Sequence, residues 1–323
     1  MIVKERKIPL TIQKLEALLR RLPHNHSKRE EIQRDLFKRK AGFRGEESLD
    51  YYLSELDYES FSIFHDVRLS TNPYYFQIDT LILTNFFAAI IEVKNISGIL
   101  HFDPSFSQLL RTNPDGVEEG FPDPFSQVEY QKKHLEHWFH EQKLPIIPIE
   151  TLIVISNPAT IIKTLSGTAT QYRKLCHTVK LVDKIVAFKD RYKNEVISGK
   201  ERRKIHKVIM NNQIQLNSDV LNNYGISLHE LINGVQCPTC SKFPMTNRYG
   251  GWNCPYCNHF SKKAHEAAIE DFFLLINPTI TNSQLREFTH LSSRHTARRI
   301  LTSMPLQSTG SNRGRAYHSS VRG

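Results

Sequence analysis

Residues 74–98, YYFQIDTLILTNFFAAIIEVKNISG, set the tightest condition on how this chain can fold. Two apolar runs of strand length, FQIDTLILT and FAAIIEVKN, are separated only by Asn85 and Phe86. If those two residues form the turn of an antiparallel hairpin, facing residues have numbers that sum to 171. Asp79 then faces Glu92, and Lys94 lies one step along the same face, opposite Gln77. Side chains so paired stand about 5 Å apart at Cβ. Two facing carboxylates repel, and burial makes this worse. A divalent cation between them removes the repulsion, and a neighbouring lysine suits a nucleophilic water or a developing phosphate charge. The residue types therefore favour metal-assisted phosphodiester hydrolysis over an ordinary Lys–carboxylate pair at a rim. Asn-Phe departs from the Asn-Gly that short hairpins prefer, and a bulge would shift the pairing by one or two residues.

The flanking segments supply layers for this hairpin. TIQKLEALLRRL places Ile12, Leu15, Leu18, Leu19 and Leu22 at helical spacing. A second helix is expected from Ser27, with Gly42 and Gly45 marking a turn after it. GEESLDYYLSEL reads as the next helix, with Leu49, Leu53 and Leu56 on its apolar stripe, Glu46 on that inward face and Glu47 elsewhere. SFSIFHDVRL and GILHFD read as strands, 103–124 as loop or hairpin, PFSQVEYQKKHLEHWFHE as a helix opened by Pro124, and IPIETLIVISN as a strand. HTVKLVDKIVAF reads as a strand leading into a helix. The order is that of an α/β protein.

Residues 42 to about 156 resemble the nuclease-related domain (NERD) family of the PD-(D/E)XK, restriction-endonuclease-like superfamily, through GFRGEESLDYYL, QIDTLIL, IIEVKNISG and DPFSQVEYQKKHL. The resemblance implies a mixed sheet core flanked by helices, with Asp79 and Glu92 as Mg²⁺ ligands and Lys94 as the catalytic lysine. It also implies Glu46 as the first-helix acid, a third ligand, and Gln127 as the glutamine of the second core helix. Ile78 precedes Asp79, so no literal Pro-Asp pair is present.

Four of the five cysteines follow the pattern Cys237-x2-Cys240-x13-Cys254-x2-Cys257, which suits tetrahedral Zn²⁺ in a small ribbon with no position left for water. A redox dithiol pair and an iron–sulfur cluster are the minor rivals. Tyr249 and Trp252 either stack on bases or shield the metal, and shielding is preferred. Cys176 reads as a small buried hydrophobe.

Beyond the ribbon, TNSQLREFTHL and SSRHTARRILTSM resemble a winged helix-turn-helix. Arg294, His295, Arg298 and Arg299 fall on its second helix, and Arg313 and Arg315 on a wing that contacts phosphate. From residue 288 onward there are six arginines and no acid. The net charge of +10 is concentrated at the ends, +8 over 1–44 and +5 over 261–323, which suggests a polyanion partner.

The expected organisation is a basic helical extension (1–40), a nuclease-like domain (41–160), the end of the core with a helical linker (161–232), a zinc ribbon (233–260) and a winged-helix-like segment (261–323). The expected function is Mg²⁺- or Mn²⁺-dependent hydrolysis of DNA, with RNA not excluded as a partner. The alternative is a catalytically silent nuclease-like DNA-binding or adaptor protein. No apolar run approaches a membrane span and no small-molecule cofactor is evident, so a cytoplasmic location is expected.

Overall fold

The computed structural model describes residues 1–163 and 172–319. Contacts divide the chain into two units, one of Met1–Ile8 with Lys38–Leu216 and one of Pro9–Phe37 with Asn217–Gly323. The first forty residues, read above as one extension, are thus shared between the units. Strand β1 (Ile2–Lys4) belongs to the first and helix α1 (Leu10–Arg21) to the second. Helix α2 (Arg29–Glu47) is assigned to the second as far as Phe37 and to the first from Lys38.

The first unit continues with α3 (Leu49–Leu53), β2 (Ser62–Thr71), β3 (Tyr74–Leu83), β4 (Ala88–Lys94), β5 (Ile99–Asp103), β6 (Gln108–Thr112), β7 (Glu118–Pro122), α4 (Pro124–Glu141), β8 (Ile149–Ile155), β9 (Ile161–Lys163), β10 (Leu175–His177), α5 (Leu181–Arg191) and α6 (Gly199–Asn211). Six strands make a mixed sheet in the order β1-β2-β3-β4-β8-β10, antiparallel in the β2-β3-β4 meander and parallel on either side of it. Leu81, Leu83 and Ile90 pack with Leu135 and Trp138 of α4 and with Ile205 and Ile209 of α6. On the other face Ile82, Ala89, Ile91 and Val93 pack with Leu49 and Leu53 of α3 and with Leu181 and Ile185 of α5. Cys176 lies in that second layer, where burial pushes its thiol up to about 11.

Segment 103–124 forms strands β6 and β7 of a four-stranded sheet, β7-β6-β5-β9, and Leu100, Phe102 and Leu109 of that sheet pack on Phe125 and Val128 of α4.

Gly42 and Gly45 do not make a turn, because α2 runs through both. Space accounts for the second glycine: a Cβ on Gly45 would lie 2.5 Å from Asn95 Cβ and 2.7 Å from Ser156 Oγ. The glycine lets the helix approach the ends of β4 and β8.

In the second unit, α1 packs with α7 (Val220–Tyr224) through Leu15, Leu18, Val220 and Leu221. Strands β11 (Thr246–Arg248), β12 (Gly251–Asn253) and β13 (Phe260–Ser261) form a small antiparallel sheet. The chain ends in α8 (Ala264–Leu275), β14 (Thr279–Thr281), α9 (Asn282–Thr289), α10 (Arg294–Ser303), β15 (Leu306–Thr309) and β16 (Ala316–Ser319), with sheet order β14-β16-β15. Thr281 and Ser293 cap α9 and α10 by accepting from Gln284 N and Thr296 N. Arg21 is buried between the Asp271 carboxylate, 2.8 Å from its Nε, and the carbonyls of Ile232 and Gly234. Its guanidinium also lies over the rings of Phe243 and Phe288. Among the described residues no helix is long and apolar enough to cross a membrane.

Candidate active site and metal centre

The β3–β4 ladder keeps the register in which facing numbers sum to 171, from Leu83↔Ala88 to Thr80↔Ile91. Its turn works without glycine. Thr84 Oγ1 accepts from Phe86 N and Phe87 N and donates to Phe87 O, supplying locally what an Asn-Gly turn supplies by backbone freedom.

The ladder stops one residue short of Asp79. Opposite it on β2, Asp66 takes a left-handed φ of 51°, and pairing resumes beyond at Val67↔Ile78. Both strands therefore carry an extra residue at the same level. The core-facing residues of β2 switch from Phe64 to Val67 and Leu69, and those of β3 from Ile78 to Leu81 and Leu83. This paired irregularity takes Asp79 out of the ladder, and its Oδ2 accepts from Val93 N at 2.9 Å.

Glu92 is 2% exposed and accepts three hydrogen bonds. Its Oε1 accepts from Lys94 Nζ at 2.7 Å and from Gln127 Nε2 at 2.7 Å, and its Oε2 from Gln131 Nε2 at 2.8 Å. Lys94 Nζ also donates to Gln127 Oε1 at 2.8 Å, closing a triangle of three side chains. Helix α4 can present both glutamines because they stand four residues apart, on one face. Its start is set by Asp123, which accepts from Phe125 N and Ser126 N, with Pro124 in the first turn.

Glu46 approaches from the end of α2. Its Oε2 accepts from Arg6 Nη1 at 2.8 Å. The same guanidinium donates to Asp50 at 3.0 Å and to His65 Nδ1 at 2.8 Å. Burial lifts the Glu46 carboxyl to about 7; Arg6 opposes the rise, and the charges of Asp66, Glu92 and Asp50 add to it. Asp79 is pushed well above the usual carboxylate range by burial and by Glu92 and Glu46, against the Val93 amide and Lys94. Burial also raises Asp66, against Lys4, Arg6 and Arg68. His65, buried beside Arg6, is lowered to about 4.

The structure thus gathers Glu46, Asp79, Glu92, Lys94 and Gln127 around one end of β4. Sequence reasoning missed Arg6, Asp66 and Gln131. Gln131 carried a signal, its spacing from Gln127; Arg6 and Asp66 carried none, since Arg6 follows β1 and Asp66 sits at the irregularity of β2, positions that no local spacing marks.

The oxygen donors fit a hard divalent cation: Glu92 accepts three hydrogen bonds and keeps acceptor capacity, and Glu46 and Asp79, each accepting from one neighbour, are carboxylates whose proton affinity is raised partly by neighbouring negative charge. They are not drawn as tightly together as the cysteines are. Among the described residues, only Cys237, Cys240, Cys254 and Cys257 bring three or more potential ligands within 4.8 Å of one another. Mg²⁺ usually retains waters and takes few protein carboxylates, so wider spacing suits it.

The cysteine cluster is built from two like turns. Ser241 N donates to Cys237 O and Asn258 N to Cys254 O, and Ser241 and Asn258 both take left-handed φ, 57° and 58°. Sγ–Sγ distances are 3.6 Å for Cys237–Cys257 and 3.5 Å for Cys240–Cys254, as four thiolates around one Zn²⁺ require. Trp252 is buried against Cys237 and Cys254, as shielding requires, and its Nε1 donates to His265 Nδ1 at 3.0 Å. Tyr249 is 96% exposed and shields nothing.

A helix-flanked mixed sheet with carboxylates, a lysine and glutamines at one end of β4 is a restriction-endonuclease-like α/β domain. Residues 41–156 match the family model of the nuclease-related domain (NERD), about a third of the chain. Comparison with curated proteins and with solved structures returns no match.

Proposed function

We propose that this chain hydrolyses phosphodiester bonds of DNA with Mg²⁺ or Mn²⁺, and that its second unit binds the nucleic acid. The observation that carries this reading is the closed triangle of Lys94, Glu92 and Gln127 beside Asp79. Glu46, Asp79 and Glu92 would hold the cation, which when bound supplies Lewis-acid polarisation of a phosphate oxygen. Lys94, its ammonium fixed by two acceptors, donates toward the attacking water or the charge that grows on the phosphate. Gln127 and Gln131 hold the Glu92 carboxylate in one orientation by donating to each of its oxygens. Cys237, Cys240, Cys254 and Cys257 would hold a structural Zn²⁺.

A winged helix-turn-helix reading of 261–323 is supported by the order helix, strand, helix, helix, strand, strand in α8–β16. Arg294, His295, Arg298 and Arg299 are exposed on α10, whose opposite side buries Ala297, Ile300 and Leu301. Arg315 lies half-buried in the β15–β16 connection, and the side chain of Arg313 lies outside the described residues. Such a helix would lay its arginines along phosphates or base edges.

Cleavage of linear, nicked, circular and single-stranded DNA with Mg²⁺, Mn²⁺ or EDTA tests the reading. Asp79→Ala and Lys94→Ala should abolish metal-dependent cleavage and leave DNA binding largely intact. Unchanged cleavage in both variants overturns the assignment. A wild-type chain that binds DNA and never cuts points instead to the silent binding module.

A further inference from the structure

The cysteine ribbon has an outer face that the metal site does not use. Trp252 and its cross-strand partners Asn247 and Ser261 share the side turned to the core. Thr246, Arg248, Gly251, Asn253 and Phe260 share the other side, since facing residues of an antiparallel ladder lie on one face. The ring of Phe260 lies directly on Gly251, where a Cβ would meet Phe260 Cζ at 2.5 Å and Cε2 at 2.6 Å. Only glycine lets the ring settle there, and 43% of Phe260 remains exposed.

At the tip of the same sheet, Tyr249 and Gly250 form the β11–β12 turn with φ of 52° and 79°. A tyrosine is an unfavourable choice for that backbone region, where asparagine or glycine is usual. Local folding does not explain it, and 96% of the side chain stands in solvent. From Leu231 to His265 the chain contains no acidic residue, while Lys242, Arg248, Lys262 and Lys263 are all exposed cations.

We propose that this face is a stacking platform for single-stranded nucleic acid, with Tyr249 and Phe260 as the stacking rings and Arg248 contacting the backbone phosphate. Every base offers a π face when unpaired and hides it in a duplex, so exposed rings among cations select single strands with little regard to sequence. An apolar protein partner would not need four cations and a stretch free of acids. The inference rests on the nuclease reading in that it names the form of nucleic acid taken by the second unit, yet its test reads binding alone.

The zinc-loaded full chain is titrated, with no Mg²⁺ or Mn²⁺ added, into a fluorescein-labelled thymidine strand of about 20 nucleotides, longer than one binding module covers. A duplex of equal length serves as the second probe, and anisotropy is read. Tyr249→Ala should raise the strand Kd about tenfold, the loss of one stacked base, while changing duplex binding by less than about twofold. Tyr249→Phe should keep wild-type affinity, because the ring and not the hydroxyl does the stacking. Phe260→Trp, which retains a ring over Gly251, should hold or tighten strand binding. Equal zinc content in each variant shows the ribbon intact. Strand binding by Tyr249→Ala within about twofold of wild type, or an equal loss on strand and duplex, overturns the platform. A chain that binds strands through Tyr249 and never cuts keeps the platform and loses the nuclease reading; a chain that cuts but ignores Tyr249→Ala does the reverse.

Discussion

Arg6 reaches Glu46, Asp50, His65 and Thr80 from a side chain only 5% exposed, so one guanidinium satisfies groups on α2, α3, β2 and β3. Replacing it with leucine leaves two carboxylates without their cation. We expect Arg6→Leu to lower unfolding free energy by about 3 kcal/mol in chemical denaturation, with part recovered in Arg6→Lys. His206 is a second residue whose role the composition hides. Its Nε2 is buried without a partner, and burial, with Arg202 nearby, lowers it to about 4. Between that value and the ordinary value near 6.5 the unfolded chain takes up a proton that the folded chain refuses. Stability therefore falls as pH drops through this window. Wild type should lose about 2 kcal/mol more than His206→Gln between roughly pH 7 and pH 5, read by denaturation at each pH. The candidate site was half legible at this scale. Asp79, Glu92 and Lys94 stand out as charges inside apolar runs, and Gln127 through resemblance. Arg6, by contrast, sits in an ordinary charged stretch and counts in the composition as surface charge.

Helix α2 shows how one residue type serves two purposes within a single element. Gly45 meets Asn95 and Ser156, whereas a Cβ on Gly42 would meet nothing within 4 Å. Gly45→Ala should therefore destabilise by about 1–3 kcal/mol through overpacking, and Gly42→Ala should stabilise by about 0.5–1 kcal/mol through helix propensity alone. Opposite shifts of the denaturation midpoint check both. The hairpin gives the complementary lesson. Its register followed from chain length between two apolar runs, because a turn of two residues leaves one pairing. The irregularity at Asp66 and Asp79 did not follow, because it depends on both strands departing from the ladder at one level and on Lys4 of β1 donating to the Asp66 carbonyl.

Each unit holds one of the two tryptophans, Trp138 in the first and Trp252 in the second. Trp252 packs with Cys237 and Cys254 and with Ile269 and Phe272 of α8, so the cysteine cluster and the C-terminal helices share a core. Stripping zinc from a Trp138→Phe chain should shift the remaining emission to the red as Trp252 meets water, and zinc should reverse it. An emission maximum indifferent to chelation would separate the ribbon's fold from its metal. Charge reads differently at this scale as well. The basic ends implied a polyanion partner, yet Arg6 and Arg21 are spent on internal carboxylates, while Arg294, Arg298 and Arg299 remain exposed.

The sequence by itself determined what short-range physics can encode: the alternation that makes β3 and β4, the register of their hairpin, the capped helices and the paired cysteine turns. Those depend on neighbours a few residues apart, and their signals survive in any context. Tertiary structure alone decided that Arg6 enters the carboxylate cluster, that Asp79 leaves its ladder to cap the Val93 amide, that Gly45 is a contact and not a turn, and that Tyr249 faces solvent while Trp252 faces the core. Each of these depends on which distant segments become neighbours, and packing settles that only once the layers have closed.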